Sequence, residues 1–489
     1  MNSYKNIAKS SGIIGLVQVF QIVFGLIRNK AIAILVGAQG FGIWGLYNTY
    51  IEMVSQISIL GLDQSGVRQI AKNSDNKNYL YKCIYIFKQT ILVVSILSTI
   101  LSILFSKSIS KAIFNSEDYY IGVIIASFVI LFNGISKGQR SILNGLHDIK
   151  GLAISQIVGA IIGSIVAIIA VYLFGINGIP MFIFAVGLSL VGSTWWFVRK
   201  LNIKKEVPSI VEYKSELKKL ISLGLGFGIA GIIASIMTYF SRLYLTNTFN
   251  IEAVGIYQAS WTISNLYIGT ILSAMGVDLM PRLAKVSDDN KEINRLVNEQ
   301  MELGMLVASI GVVAILVFSP IILNLLYSKE FLVGTTIIRW QVLGVSLRVL
   351  AFPFSYAIMA KGKSVIYITV QSIFWIGEFL LLVLFSKLFG FDGLGINYFI
   401  GYIGYFLMSL FACVKIFNYH PSIYLQKITL ISYLFIGGAF FLCIYTPQKI
   451  SISIGLLLLI THVLIIYFQL KRKMNIDILF KFKRGKKIE

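Results

Sequence analysis

The sequence predicts an all-α polytopic membrane protein of about fourteen transmembrane helices, arranged as two six-helix lobes related by pseudo-two-fold symmetry plus two C-terminal helices. Three observations carry that expectation. The 489-residue chain is 57% apolar and only 13% charged, whereas a soluble domain carries about 25% charged residues to cover its surface. Its apolar residues gather into runs close to the ~20 residues that a helix needs to cross ~30 Å of hydrocarbon. Its basic residues alternate between successive loops, as they do when short loops face opposite sides of a membrane.

Taken in order, the first six spans are residues 12–36, 40–60, 83–105, 121–135, 154–174 and 179–198. Spans seven to twelve are 221–245, 254–280, 301–326, 331–359, 365–385 and 394–416. The last two are 425–445 and 450–470. Each is read as a helix because irregular backbone facing lipid leaves peptide groups unsatisfied at several kcal/mol apiece. The fourth is the shortest, ended here by Lys137 and Arg140. No cleavable leader is expected, since the first apolar stretch passes 20 residues without a small-residue cleavage pattern.

With the N-terminus inside, the cytoplasmic segments hold 32 of the 43 Lys and Arg, the opposite loops five, and the spans six. That bias places both termini in the cytoplasm. It also accounts for the net charge of +22 as headgroup contact and topology setting, so nucleic acid is not expected as a partner. Three scattered cysteines and three scattered histidines give no CxxC pair, disulfide framework or metal cluster. Neither a nucleophile elbow nor a Walker A loop is present. A transporter, not an enzyme, is expected, with no cofactor beyond a coupling H+ or Na+.

The chain repeats itself at an offset near 214 residues. Gly42-Ile43-Trp44 matches Gly255-Ile256-Tyr257, Gly61-Leu62-Asp63 matches Gly276-Val277-Asp278, and Arg28 matches Arg242. Arg68 with Ala71-Lys72 matches Arg282 with Ala284-Lys285, and Lys150 and Gln156 match Lys363 and Gln371. A six-helix unit gives both halves the same orientation, the parallel repeat found in many transporters. The expected divisions are an N-lobe at 1–208, a C-lobe at 209–416, and the last two helices with a basic cytoplasmic tail at 417–489. Residues 200–219, with Pro208, read as the linker, part of it amphipathic and suited to the membrane surface.

Two six-helix lobes, an arginine-bearing first helix, FGIW at the start of the second and GLDQSGVRQIAK from Gly61 resemble the multidrug/oligosaccharidyl-lipid/polysaccharide exporter (MOP) superfamily. Within it the chain looks like the O-antigen translocases, Wzx-type flippases of lipid-linked oligosaccharides. The resemblance covers residues 1–416 in architecture and is densest over 10–72. It implies an undecaprenyl-diphosphate-linked glycan as substrate, carried from the cytoplasmic to the periplasmic leaflet by alternating access. Association with polysaccharide polymerase and chain-length proteins is a family expectation. A single chain with both lobes is expected as a monomer in contact with membrane lipids.

Ionisable groups inside spans are costly and face a bundle interior or a water-filled cavity. Arg28, Lys30, Arg242, Arg339 and Arg348 are the candidate diphosphate-binding cations, arginine being suited by its planar two-pronged donor. Arg339 and Arg348 fall about 12 Å and about 26 Å into a tenth helix counted from its first residue; nine residues apart, they point to nearly opposite faces. Snorkelling to headgroups is the competing reading for Arg28, Lys30 and Arg242, and for Lys88 it is preferred. Glu52 and Glu378 lie near mid-membrane, as proton-coupling sites or as counter-ions to arginine. Asp63 with Arg68, and Asp278 with Arg282, read as salt bridges latching the inner helix ends. Trp261 and Trp375 are candidates for stacking on sugar rings, though interfacial anchoring is the ordinary role of such residues.

Three other activities compete. A lipid II flippase also handles a diphosphate and is not separated by the arginines. A multidrug antiporter for cations would need an acid-dominated cavity, against six basic and two deep acidic residues in the spans. A membrane polymerase would need a larger outer loop than residues 106–120.

Overall fold

In the computed structural model, residues 2–73 and 76–474 are described; the basic tail beyond Met474 lies outside them, as do Ser74 and Asp75. The described chain is helical throughout and forms no strand. Its helices are α1 (Asn2–Ile59), α2 (Leu62–Lys72), α3 (Lys77–Leu104), α4 (Ser106–Phe114), α5 (Tyr120–Gly145), α6 (Ile149–Phe174) and α7 (Ile179–Lys200). There follow α8 (Ile210–Thr248), α9 (Ile251–Lys285), α10 (Asn290–Leu326), α11 (Thr335–Ala360), α12 (Ser364–Phe389), α13 (Gly393–Phe417), α14 (Ile423–Tyr445) and α15 (Gln448–Met474).

Among the described residues ten helical stretches are long and apolar enough to cross a membrane, or eleven if the two arms of α9, bent by 43°, form one span. Three of the ten are Phe20–Ile59, Ile149–Lys200 and Ser364–Phe417, of 40, 52 and 54 residues. At 1.5 Å per residue they would be about 60 to 80 Å long, at least twice the hydrocarbon thickness. Each is broken inside. Gly37 leaves the helical region (φ 64°, ψ −167°), and short 3-10 turns open at Gly175 (φ 56°) and Gly390 (φ 58°). The last two sit in LFGING from Leu173 and LFGFDG from Leu388. This further pair of matching segments was visible in the sequence and extends the repeat into these turns.

The chain packs as two compact units: Met1–Ser260 with Leu323–Gly334 and Ile368–Lys387, and Trp261–Ile322 with Thr335–Tyr367 and Leu388–Glu489. In the first, α5 packs between α3 and α7, α6 lies along α7, and α1 runs against α6 and α8. In the second, α11 lies along α13, and α14 along α15. Caps fix several helix starts: Asn76 accepts from Tyr79 N–H, Asp148 from Gly151 and Ser422 from Leu425. Ser209 and Glu212 form a reciprocal capping box that starts α8 within the linker. The amphipathic part of the linker is therefore the first three turns of α8.

Within the first unit, α1 and α9 cross at repeat-equivalent glycines. A Cβ on Gly42 would lie 2.0 Å from the Ile251 carbonyl oxygen, and a Cβ on Gly255 would lie 2.0 Å from that of Ala38. Only glycine at both places permits so close a backbone approach.

Several expected boundaries move, two of them at polar stretches. Ending the fourth span at 135 is corrected by α5, which continues to Gly145 with Gly138, Gln139, Ser141 and Gly145 buried. Starting the ninth at 301 is corrected by α10, which begins at Asn290. In both, polar side chains find partners inside the protein.

Candidate functional site

α11 starts at Thr335, not at residue 331. Arg339 therefore sits in its second turn and Arg348 about 20 Å along it, shallower than the sequence depth placed them. Arg339 Nη1 donates to the Cys443 carbonyl at 2.7 Å. It thereby ties the end of α14 to α11. Arg348 has a different setting. Its Nη1 donates to Asn265 Oδ1 at 2.8 Å, and the Tyr398 hydroxyl donates to the same oxygen at 3.0 Å. Asn265 Nδ2 donates to the Trp261 carbonyl at 3.1 Å, which fixes the amide so that its oxygen meets the guanidinium.

Tyr398, Tyr402 and Tyr405, spaced i, i+4 and i+7, share one buried face of α13, and all three act electrostatically on Arg348. Their rings pack in series, 4.8 Å and 5.8 Å between centroids. Trp261 meets Tyr398 edge-on at 5.1 Å and 81°, so it is part of this wall. Tyr405 and Ser355 share a hydrogen bond of 2.6 Å. Among the described residues no carboxylate forms an ion pair with Arg348. A guanidinium held by an amide and phenols keeps its full positive charge in a low-dielectric surround. Such a group is built to take an anion, and its planar donors match a phosphate. The sequence singled out Arg348 and Trp261 but not Asn265 or the tyrosines, although the 398–402–405 spacing was there to be read.

The first unit holds the other candidates. Arg28 lines a cavity of about 110 Å³ with Trp44, Asn48, Asn133 and Phe182, room for a few waters. Its guanidinium carbon lies 5.8 Å from the Phe182 ring centroid. Lys30 is half-buried on the next face of α1. Arg242 is 4% exposed, donates to Gln258 Oε1 at 2.7 Å and lies 4.4 Å over the Tyr257 ring. That burial does not fit a snorkelling side chain. Glu378 is buried on α12, whereas Glu52 is exposed on α1. Glu52 and Asp63 both act electrostatically on Arg140 of α5, a residue that sequence reading left in a loop. Trp375 packs against Phe374 at 5.3 Å.

Of the two expected inner latches, Asp278 and Arg282 pair at 3.1 Å, with Glu299 also 3.6 Å from Arg282. Asp63 and Arg68 form no ion pair among the described residues, which corrects that expectation. Five residues apart, they diverge around the helix, whereas four residues apart they would align. A further acid was missed: Glu330 accepts from Ala38 N–H at 3.2 Å, capping the arm of α1 that restarts after Gly37. Among the described residues no three His, Cys, Asp or Glu side chains converge as metal ligands would.

Long apolar helices, internal breaks at glycine and a half-buried arginine with no carboxylate partner among the described residues mark a multi-pass membrane transporter. The fold matches that of the solved "Lipid II flippase MurJ, inward closed conformation", with TM-score 0.72 and 17% identity over 94% of this chain and 99% of that one. It also matches an inward-facing multidrug resistance MATE family transporter of the MOP superfamily, with TM-score 0.67 and 15% identity over 82% and 98%. The chain belongs to the polysaccharide biosynthesis protein family, which it matches over residues 7–287. It is 24% identical over 373 residues to the lipid III flippase of Escherichia coli (strain K12), covering 74% of this chain and 86% of that one. A Shigella flexneri protein described provisionally as an O-antigen transporter is 26% identical over 344 residues, 67% and 78% of the two chains.

Proposed function

We propose that the chain is a flippase that carries an undecaprenyl-diphosphate-linked oligosaccharide, an O-antigen or other surface polysaccharide repeat unit, across the bacterial inner membrane. The observation that carries this reading is Arg348, fixed by Asn265 and walled by tyrosines, with no carboxylate paired to it. A diphosphate supplies the missing negative charge, and the tyrosine faces suit the first sugar rings. The family and the names of its relatives favour a lipid-linked glycan over a cationic drug. The reciprocal crossing of Gly42 and Gly255 supports two lobes related by a two-fold axis, and the three broken stretches, each counted as two crossings, together with the bent α9 support fourteen crossings.

Both termini then face the cytoplasm, and movement is by alternating access of the lobes. Glu378 is the candidate for proton coupling, Arg28, Lys30 and Arg242 being the remaining cations along the path. The test is translocation of a labelled diphosphate-linked oligosaccharide in proteoliposomes, scored by accessibility to an impermeant sugar-oxidising reagent. Protein-dependent movement that a pH gradient accelerates, and that Glu378→Gln makes insensitive to the gradient, is expected. Movement of a lipid-linked monosaccharide lacking the diphosphate at the same rate would sink the reading.

A further inference from the structure

A pocket of about 530 Å³ opens between α3, α5 and α7 of the first unit, apart from the cations discussed above. Five of its lining side chains carry hydrogen-bond donors: Lys88, Gln139, Arg199, Asn202 and the indole N–H of Trp195; none of the lining residues is acidic. Lys88 is exposed within an apolar helix, and among the described residues it forms no ion pair. Arg199 has its guanidinium 5.2 Å from the Trp195 ring and likewise pairs with no carboxylate. The Gln139 carbonyl oxygen accepts from Thr194 Oγ1 at 2.5 Å, leaving Nε2 as its remaining donor. The rest of the wall is apolar, with Ile91, Leu92, Ile135 and Trp195 prominent.

Two uncompensated cations beside an apolar wall form an amphiphilic site. A cation standing in a hydrocarbon-facing helix is costly unless it reaches water or an anion. Lys88 and Arg199 share one mouth, so each raises the cost of the other until an anion enters. Two of the basic segments read as cytoplasmic, 137–150 and 199–219, line the pocket themselves through Gln139, Arg199 and Asn202, which sets it at the leaflet that those segments face. Headgroup phosphates are dense there, and acyl chains lie against the same helices.

We propose that this pocket binds an anionic glycerophospholipid of that leaflet. Lys88 and Arg199 hold the phosphodiester, Gln139 and Asn202 donate to the glycerol and headgroup oxygens, and an acyl chain runs along Leu92 and Ile135. The site is separate from the transported substrate and braces α3, α5 and α7 at one end.

Native mass spectrometry of the delipidated full-length protein tests this, with phosphatidylglycerol, phosphatidylcholine and inorganic phosphate as the added probes. Wild type should retain phosphatidylglycerol over phosphatidylcholine by about tenfold: both carry the phosphodiester, but the choline of the second adds a cation that Lys88 and Arg199 repel. Lys88→Gln with Arg199→Gln should bring the two lipids level. Leu92→Trp, which fills the apolar half and leaves the charges, should lower retention of both. Equal retention of the two lipids by wild type, or unchanged preference in the double Gln variant, overturns the proposal. Displacement of phosphatidylglycerol by an equal concentration of inorganic phosphate overturns it as well, making the pocket a free-phosphate site. If the double Gln variant does not fold, Lys88→Arg with Arg199→Lys decides: it keeps both charges and should keep the preference, and its loss in a folded protein refutes the assignment.

Discussion

Replacing Arg348 with methionine separates what its charge does for transport from what it does for stability. The guanidinium has five N–H donors, and Asn265 takes one of them at 2.8 Å. A diphosphate bound through two parallel N–H bonds would gain about 1.5–3 kcal/mol from each, so the lower bound for losing both is about 3 kcal/mol. At 1.4 kcal/mol per decade that is a loss of about 100-fold in transport at sub-saturating substrate. Arg348 is only half-buried and has no ionic partner among the described residues, so removing its charge costs the fold little, and an apolar side chain of similar length in its place is expected to be neutral or stabilising. Arg348→Met should therefore keep or raise its melting temperature in detergent while transport collapses. Arg348→Lys keeps a point charge and loses the fork, so it should fall about tenfold. The assay is the proteoliposome translocation described above, with insertion checked by reconstituted protein amount. Wild-type transport by a well-inserted Arg348→Met, or transport loss that merely follows a large drop in melting temperature, would refute the reasoning.

Tyr398→Phe removes one hydrogen bond from Asn265 and should slow transport by about fivefold, the effect of roughly 1 kcal/mol, in the same assay. Gly42→Ala puts a methyl group against the Ile251 carbonyl and should cost about 1–3 kcal/mol, read as a lower melting temperature; Gly255→Ala should match it. Gly37→Ala meets both a left-handed φ of 64° and the Glu330 carboxylate at 3.1 Å, so it should lose about 1–2 kcal/mol in chemical unfolding. Glu212 is pulled from the usual 4.5 down to about 2 by its hydrogen bond to Lys82 and by the Ser209 cap. A carboxylate lowered in this way stabilises the folded state above its unfolded pKa, and that support is lost as pH falls from about 4.5 towards about 2. A spin label at Ser215 should accordingly stay immobile at pH near 5 and loosen only as the pH approaches 2; loosening at neutral pH would rule out the pairing.

Much of the helical order was legible because a bilayer demands long apolar runs, and the breaks at Gly37 and Gly175 fall where hydropathy already dipped. What hydropathy misreads is polarity satisfied from inside. α10 begins at Asn290, where Asp289 accepts from Lys291 and Glu292 N–H, and its polar stretch is satisfied from afar: Asn298 accepts from Ser422 N–H at 2.8 Å and Glu302 from the Ser422 hydroxyl at 2.6 Å, partners more than a hundred residues away in sequence. The same blindness hid the difference between two arginines of one helix. Arg339 and Arg348 look alike in sequence, and only their partners, Cys443 and Asn265, set one as a strut and leave the other a charged centre. Arg140 was lost by ending a helix at its first charge.

The reciprocal crossing of α1 and α9 has the geometry of an isologous dimer interface, in which residue i of one partner meets residue j of the other and the reverse also holds. In a half-length ancestor pairing with its own copy, one glycine would have served both sides, and any change there would have struck twice. Joining the copies into one chain frees each side to diverge. Counting from the glycines, Glu52 and Asn265 occupy equivalent places. The carboxylate acts on Arg140 of α5, while the amide holds Arg348 of α11. Neither arginine forms an ion pair among the described residues, but one half sets a carboxylate near its arginine and the other an amide, an asymmetry closed to a symmetric homodimer and, on the proposed function, of use in admitting an anionic cargo.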